Sequence, residues 1–192
     1  MKLTLFADNS ELPEAWHQEF AGELDVQVLQ VDYDDLAPHD GLVGPGNSYA
    51  IMNGGLDWPI REEFGVDVQD ALQWAIQKDF HGQLPVGQGI VVPVAEWVKC
   101  RFRFLVYCPT MVYPRDVRGT LNALTSFYAA LRLAEQTPGL ETLACSGMAA
   151  GVGKLPAKEV ASQMFDAWQR FKQATPAAPG VFDNSVKRPN DS

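Results

Sequence analysis

Residues 41–65 read Gly-Leu-Val-Gly-Pro-Gly-Asn-Ser-Tyr-Ala-Ile-Met-Asn-Gly-Gly-Leu-Asp-Trp-Pro-Ile-Arg-Glu-Glu-Phe-Gly. An apolar run at 41–44 breaks at Pro45 and Gly46, and the glycine-rich loop that follows carries Asn47 and Asp57. Asp57, Trp58 and Pro59 then have the composition of a helix start, with Pro59 as a first-turn residue. Strand, loop and helix in that order form one unit of an α/β protein. Glycines such as Gly54 and Gly55 let main-chain N–H groups come close to a ligand, and loops of that kind hold small anions.

The flanking sequence repeats the unit. Residues 2–7 have strand character, Asn9 or Ser10 suits a helix cap, and Leu12, Ala15, Trp16, Glu19 and Phe20 are spaced for one helical face, with Gly22 as the stop. Residues 26–31 predict a second strand that ends in the acidic Asp32-Tyr33-Asp34-Asp35. Asp67 can cap a helix to about Phe80. Residues 89–94 and 102–108 are nearly continuous apolar runs, which predicts inner strands covered on both faces. A long amphipathic helix from Gly119 or Thr120 to near Gly139 leads to a strand at 142–146. A second glycine-rich loop at 147–153 follows, and Pro156 opens a last helix running to about Gln173. Beyond Thr175 the composition turns to Pro, Ala, Asn and Asp. This predicts one domain over residues 1–174 and a flexible tail over 175–192. Both glycine-rich loops follow strands, so in an α/β sheet they face one cleft at the strands' carboxyl ends.

Composition excludes several functions. The 192 residues carry 15 Lys plus Arg against 24 Asp plus Glu, a net charge of −9 without a basic run, which argues against non-specific nucleic-acid binding. No apolar run reaches membrane-spanning length, and Asp8 interrupts the amino terminus too early for a signal peptide. Cys100, Cys108 and Cys145 lack metal-type spacing and lie in apolar surroundings, as expected of buried, reduced thiols in a cytoplasmic protein. The common nucleotide fingerprints fail. After Gly44 and Gly46, Tyr49 stands where a dinucleotide loop has its third glycine, Pro156 does so after Gly151 and Gly153, and no Gly-Lys-Ser or Gly-Lys-Thr occurs.

A more specific pattern is present, and it resembles the macro domain, the family that binds ADP-ribose. That family's strand ending in Asn-Ala-Ala-Asn, its glycine turn and its Gly-Val-Asp are similar to Val43-Gly44-Pro45-Gly46-Asn47 and Gly54-Gly55-Leu56-Asp57, with Ile60 and Gly65 in place. Its Gly-Asp-Ile-Thr resembles Val31-Asp32-Tyr33-Asp34. Its Ser-Thr-Gly-Ile, followed by a proline-started helix, resembles Ala149-Ala150-Gly151-Val152 and Pro156. The likeness spans residues 24–174 in order. It implies a three-layer α/β/α fold with a mixed central sheet.

Carried over by position, the resemblance implies that Asp32 accepts a hydrogen bond from the adenine amino group and that Tyr33 packs beside the base. Main-chain N–H groups at Gly54, Gly55, Ala149, Ala150, Gly151 and Val152 would cradle the phosphates. Asn47 would hold the distal ribose, and Asp57 would position or activate water through a hydrogen bond. The scheme calls for no cofactor and no metal. Three positions depart from the pattern: Gly44 replaces the first Asn, Ala149 and Ala150 replace Ser and Thr, and Gly153-Lys154 replaces an aromatic-glycine pair. Lys154 would then bring a cation near the phosphates.

Plainer roles stand beside these. Asp32 can cap a turn, Asn47 can bond its own loop, Asp57 can cap residues 58–63, and Lys154 can be a solvated loop residue. His17, His39 and His81 read as surface histidines, Trp58, Trp74, Trp97 and Trp168 as packing residues, and Arg101 and Arg103 as a solvated strand face. The functional expectation is a protein that binds ADP-ribose or a derivative. It would act as a hydrolase on ADP-ribosylated macromolecules or on ADP-ribose 1''-phosphate, with Asn47 and Asp57 catalytic. The alternatives are a non-catalytic reader or sequestering protein, and a macro-like fold adapted to another nucleotide.

Overall fold

The computed structural model describes residues 1–9, 11–65, 67–94 and 99–174. Ser10 as a cap, Trp97 as a packing residue and the tail at 175–192 lie outside the described residues. The elements run β1 (Lys2–Ala7), α1 (Glu11–Glu19), β2 (Val26–Gln30), β3 (His39–Gly44), α2 (Asp57–Phe64), α3 (Asp67–Phe80), β4 (Ile90–Pro93), β5 (Phe102–Tyr107), α4 (Asn122–Gln136), β6 (Thr142–Cys145) and α5 (Ala157–Gln173). The six strands form one sheet in the order β2-β1-β6-β3-β5-β4. All neighbours are parallel except β4, which runs antiparallel to β5.

Period-two alternation sends the strand side chains into two cores. Leu3, Leu5, Val43, Val106 and Leu143 pack with Leu12, Trp16, Phe127, Val160 and Met164, so α1, α4 and α5 cover one face. Phe6, Leu42, Leu105, Tyr107 and Ala144 pack with Ile60, Phe64, Val68, Leu72 and Ile76, so α2 and α3 cover the other. Three α/β/α layers around a mixed sheet result. Full burial of such a side chain is worth about 1.5–3 kcal/mol, and Val68, Leu72 and Ile76, spaced on one helical face, are the residues through which α3 packs on the sheet.

Several expectations need correction. β4 is an edge strand with half-buried side chains, not an inner one. Its apolar run says only that both faces are partly covered, and Pro93, which has no N–H to give a ladder, suits an edge. α4 begins at Asn122 instead of Gly119 or Thr120, because Thr120 turns back, its N–H and hydroxyl both donating to the Val117 carbonyl. Trp58 and Trp74 are 51% and 66% exposed and are not core residues, whereas Trp168 is buried and donates to Glu23 Oε2. His39 is half-buried between Thr4 Oγ1 and the Ala37 carbonyl, while His17 and His81 are exposed. The thiols are free, with Cys108 and Cys145 buried and Cys100 half-buried. Among the described residues no helix is long and apolar enough to cross a membrane. Asn9 does act as a cap, its Oδ1 accepting from the Leu12 N–H at 3.1 Å.

Candidate functional site

Five parallel strands place their carboxyl ends along one side of the sheet, and a cleft of about 610 Å³ opens there. Asp8 and Asn9 follow β1 into it, Asp32 and Tyr33 follow β2, and Pro45, Gly46 and Asn47 follow β3. Thr110 and Met111 follow β5, and the loop at 146–153 follows β6. Of the residues nominated from sequence, Asp32, Tyr33, Asn47, Gly54, Gly55, Asp57, Ala149, Ala150, Gly151 and Val152 all line this cleft. Lys154 does not. It is exposed, holds a φ of 57°, and its charge bears on Asp116.

The two glycine-rich loops supply donors. Among the described residues, the N–H groups of Gly54, Gly55, Ala149, Gly151 and Val152 have no acceptor within the chain, whereas that of Ala150 donates to the Gly147 carbonyl at 3.3 Å. Ala149 holds a φ of 61°, a strained value for a residue with a side chain, and the Leu155 N–H fixes its carbonyl at 3.1 Å. Clustered free donors on two facing loops form an anion cradle. Of the charged residues lining the cleft, Asp8, Asp32 and Asp57 are acidic, and there is no Lys or Arg among the described lining residues.

Asn47 is 3% exposed and its side chain serves its own loop. Its Oδ1 accepts from the N–H groups of Tyr49 and Ile51, and its Nδ2 donates to the Ile51 carbonyl at 3.0 Å, which leaves one amide N–H uncommitted. Sequence reasoning missed what holds this loop. The buried Tyr107 of β5 accepts from the Asn47 N–H at 3.0 Å and donates to the Asn47 carbonyl at 2.9 Å. Its ring fills the space beside Gly44 and Gly46: a Cβ on Gly46 would lie 2.1 Å from the phenol oxygen. Gly44, which removes the Asn expected there, is thus part of a different brace. The sequence shows only an aromatic at the end of an apolar run, and that it faces the two glycines follows from the pairing of β3 with β5.

Asp57 stands in the first turn of α2 rather than capping it, since Leu56 is the cap residue and makes no side-chain bond. Its Oδ1 is buried without a hydrogen-bond partner, and burial pushes the carboxyl up from an ordinary 3.8 to about 7. The same burial raises Tyr107, with the nearby Asp57 charge adding to it. A carboxyl poised near neutrality, unpaired and in a cleft can hold and deprotonate a water molecule.

At the opposite end, the Tyr33 hydroxyl donates to Glu63 Oε2 at 2.7 Å, so what Tyr33 offers the cleft is its ring, packed near Phe6 and Phe102. Arg101 is not on a solvated strand face. It precedes β5, its side chain is 27% exposed, and it pairs with Glu63 through Nη2 at 2.6 Å and Nε at 2.9 Å. Burial alone would raise Glu63, but the bonds from Arg101 and Tyr33 outweigh it and hold the carboxyl below its ordinary value. Arg103 remains solvated, with its side chain 63% exposed.

The family model described as Macro domain matches residues 43–164, from β3 into α5. An uncharacterised protein of Aeropyrum pernix is 33% identical over 139 residues, which cover 71% of this chain and 68% of that protein. A single-site variant of the Oceanobacillus iheyensis macrodomain, solved with ADP-ribose, superposes with a TM-score of 0.61 at 18% identity, covering 72% of this chain and 73% of that one. The macrodomain of Mycobacterium tuberculosis DarG gives 0.61 at 14% identity, covering 88% and 92%.

Proposed function

The chain belongs to the macro domain family, and on that premise we propose that its cleft binds ADP-ribose or a derivative and that Asp57 directs water at the distal ribose. The observation that carries this reading is the buried, unpartnered Asp57 carboxylate beside two loops of free N–H groups. A single-site variant of the Oceanobacillus iheyensis macrodomain is solved with ADP-ribose. In this chain a diphosphate between the loops meets donors that have no other partner. Adenine then lies toward Asp32, which accepts from its amino group, and against the Tyr33 ring.

The distal ribose reaches Asn47 and Asp57. Ionised, Asp57 takes a proton from water as the water oxygen bonds to the anomeric carbon. The bond from that carbon to its substituent breaks, and the departing group leaves with the proton. General-base help of this kind is worth roughly 10²–10⁴-fold in rate.

Calorimetric titration with ADP-ribose, beside ADP and AMP, tests the binding. A dissociation constant near micromolar, about −8 kcal/mol, that weakens sharply for AMP supports the reading. No binding overturns it. Turnover on ADP-ribosylated substrates and on ADP-ribose 1''-phosphate, compared with Asp57→Ala, tests the chemistry. Asn47, whose side chain is largely spent on its own loop, favours a second reading as a non-catalytic reader. A parent protein that binds without turnover selects it.

A further inference from the structure

Resting on the ADP-ribose reading, we infer that Arg101 and Glu63, neither of which lines the cleft, are positioning residues that set the preference for adenine. Asp32 and Tyr33 open the turn that leaves β2, and within that turn the main chain makes only two bonds, Asp35 N–H to the Asp32 carbonyl and Leu36 N–H to the Tyr33 carbonyl, both at 3.2 Å. Asp32, Asp34 and Asp35 are exposed and repel one another, so the turn needs an outside anchor.

Arg101 is that anchor. Its Nη1 donates to the carbonyls of Tyr33 and Asp34 at 3.0 Å and of Leu36 at 2.8 Å. The other edge of the guanidinium forks onto Glu63, whose Oε2 also receives the Tyr33 hydroxyl. The Arg101 main-chain N–H donates to Glu63 Oε1 at 2.9 Å, which fixes the pair from a second side. Arg101 further lies 5.0 Å above the Tyr33 ring. One ion pair therefore holds Tyr33 at its carbonyl and at its hydroxyl, and holds Asp32 through the same turn.

No other side chain can do this. Only a planar fork reaches a carboxylate with one edge and a turn's carbonyls with another, so Lys cannot substitute. Helix α2 carries Asp57 in its first turn and Glu63 near its end, so the carboxylate that grips Tyr33 and the carboxylate facing the distal ribose stand on one helix.

The test measures the affinity of the full chain and of Arg101→Lys, Glu63→Gln and Tyr33→Phe for three probes: ADP-ribose, its guanine counterpart, and base-free ribose 5-diphosphate. Arg101→Lys and Glu63→Gln are expected to weaken ADP-ribose by about tenfold. They should bring the adenine-to-guanine ratio toward one and leave the base-free probe within about twofold. Tyr33→Phe, which removes one oxygen and keeps the ion pair, should lower the same ratio by less. Thermal unfolding establishes that each variant folds cooperatively, and Tyr33→Phe keeps the test open if Arg101→Lys does not fold. Folded variants with an undiminished adenine preference overturn the positioning role, as does equal weakening of the base-free probe or a parent indifferent to the base. A parent that does not bind ADP-ribose overturns the functional reading itself.

Discussion

Replacing Asp57 by Asn should make the folded protein more stable above neutral pH while removing the general base of the proposed hydrolysis. Burial raises the Asp57 carboxyl from 3.8 to about 7, and its Oδ1 has no partner. The folded state therefore binds the proton more tightly than the unfolded chain does. Stability from this group is complete below about pH 4, declines as pH rises through 7, and is lost above that. Three pKa units correspond to about 4 kcal/mol of cost to the parent at pH 8. An amide at the same place still leaves a buried polar atom unpartnered, which offsets roughly 1–3 kcal/mol. The net gain is about 2 kcal/mol at pH 8, a rise in Tm of about 4–8 °C for a protein of this size. At pH 5 the parent carboxyl is already neutral, and the gain vanishes or changes sign. Melting curves of both proteins at pH 5, 6, 7 and 8 decide the matter. A difference in Tm that does not vary with pH, or a variant less stable at pH 8, refutes the buried, unpaired carboxylate.

Gly46→Ala should destabilise by about 1–3 kcal/mol, because its Cβ would meet the Tyr107 phenol at 2.1 Å, whereas Gly54→Ala meets open space and should stay within about 0.5 kcal/mol. Equal midpoints in urea for the two would refute the packing account. Tyr107→Phe removes the hydroxyl that both accepts from and donates to Asn47. It should cost about 1–3 kcal/mol in unfolding and weaken ADP-ribose binding in titration. Lys154→Ala should leave that affinity within about twofold, since the side chain is outside the cleft, and a tenfold loss would return Lys154 to the site. Asp32→Ala should lose the preference for adenine over guanine, and an unchanged ratio would remove Asp32 from base recognition.

What the sequence made legible was local. Strand β1 and helix α3 are written in the period of Leu3, Leu5, Val68, Leu72 and Ile76, and the helix cap in Asn9. The glycine-rich loops after β3 and β6 announced the cleft because every parallel strand ends on the same side. The misses were matters of pairing. Within residues 89–94 only Pro93, which lacks a ladder N–H, marks β4 as a strand with one neighbour instead of two, and the apolar run around it outweighs that signal. The central place of β1, between β2 and β6, depends on strands far along the chain, so Asp8 and Asn9 went unnominated although they line the cleft. Arg101 alternates with Arg103 as a solvated face would, and its role exists only because Glu63 and the turn at 32–36 arrive beside it. Tyr107 could be read as a core residue, but its grip on Asn47 needs the contact between β5 and the loop after β3.

The cradle of neutral donors has a kinetic consequence. A chain with a net charge of −9 and a cleft lined by Asp8, Asp32 and Asp57 repels a diphosphate at long range, and the attraction begins only within reach of the loops. Capture of the proposed ligand would thus be an uphill approach followed by short-range trapping. Added salt shortens the reach of the repulsion to about 10 Å at 0.1 M and leaves the buried bonds nearly untouched. Raising ionic strength should quicken association with the proposed diphosphate ligand, the opposite of what a lysine-lined phosphate site does.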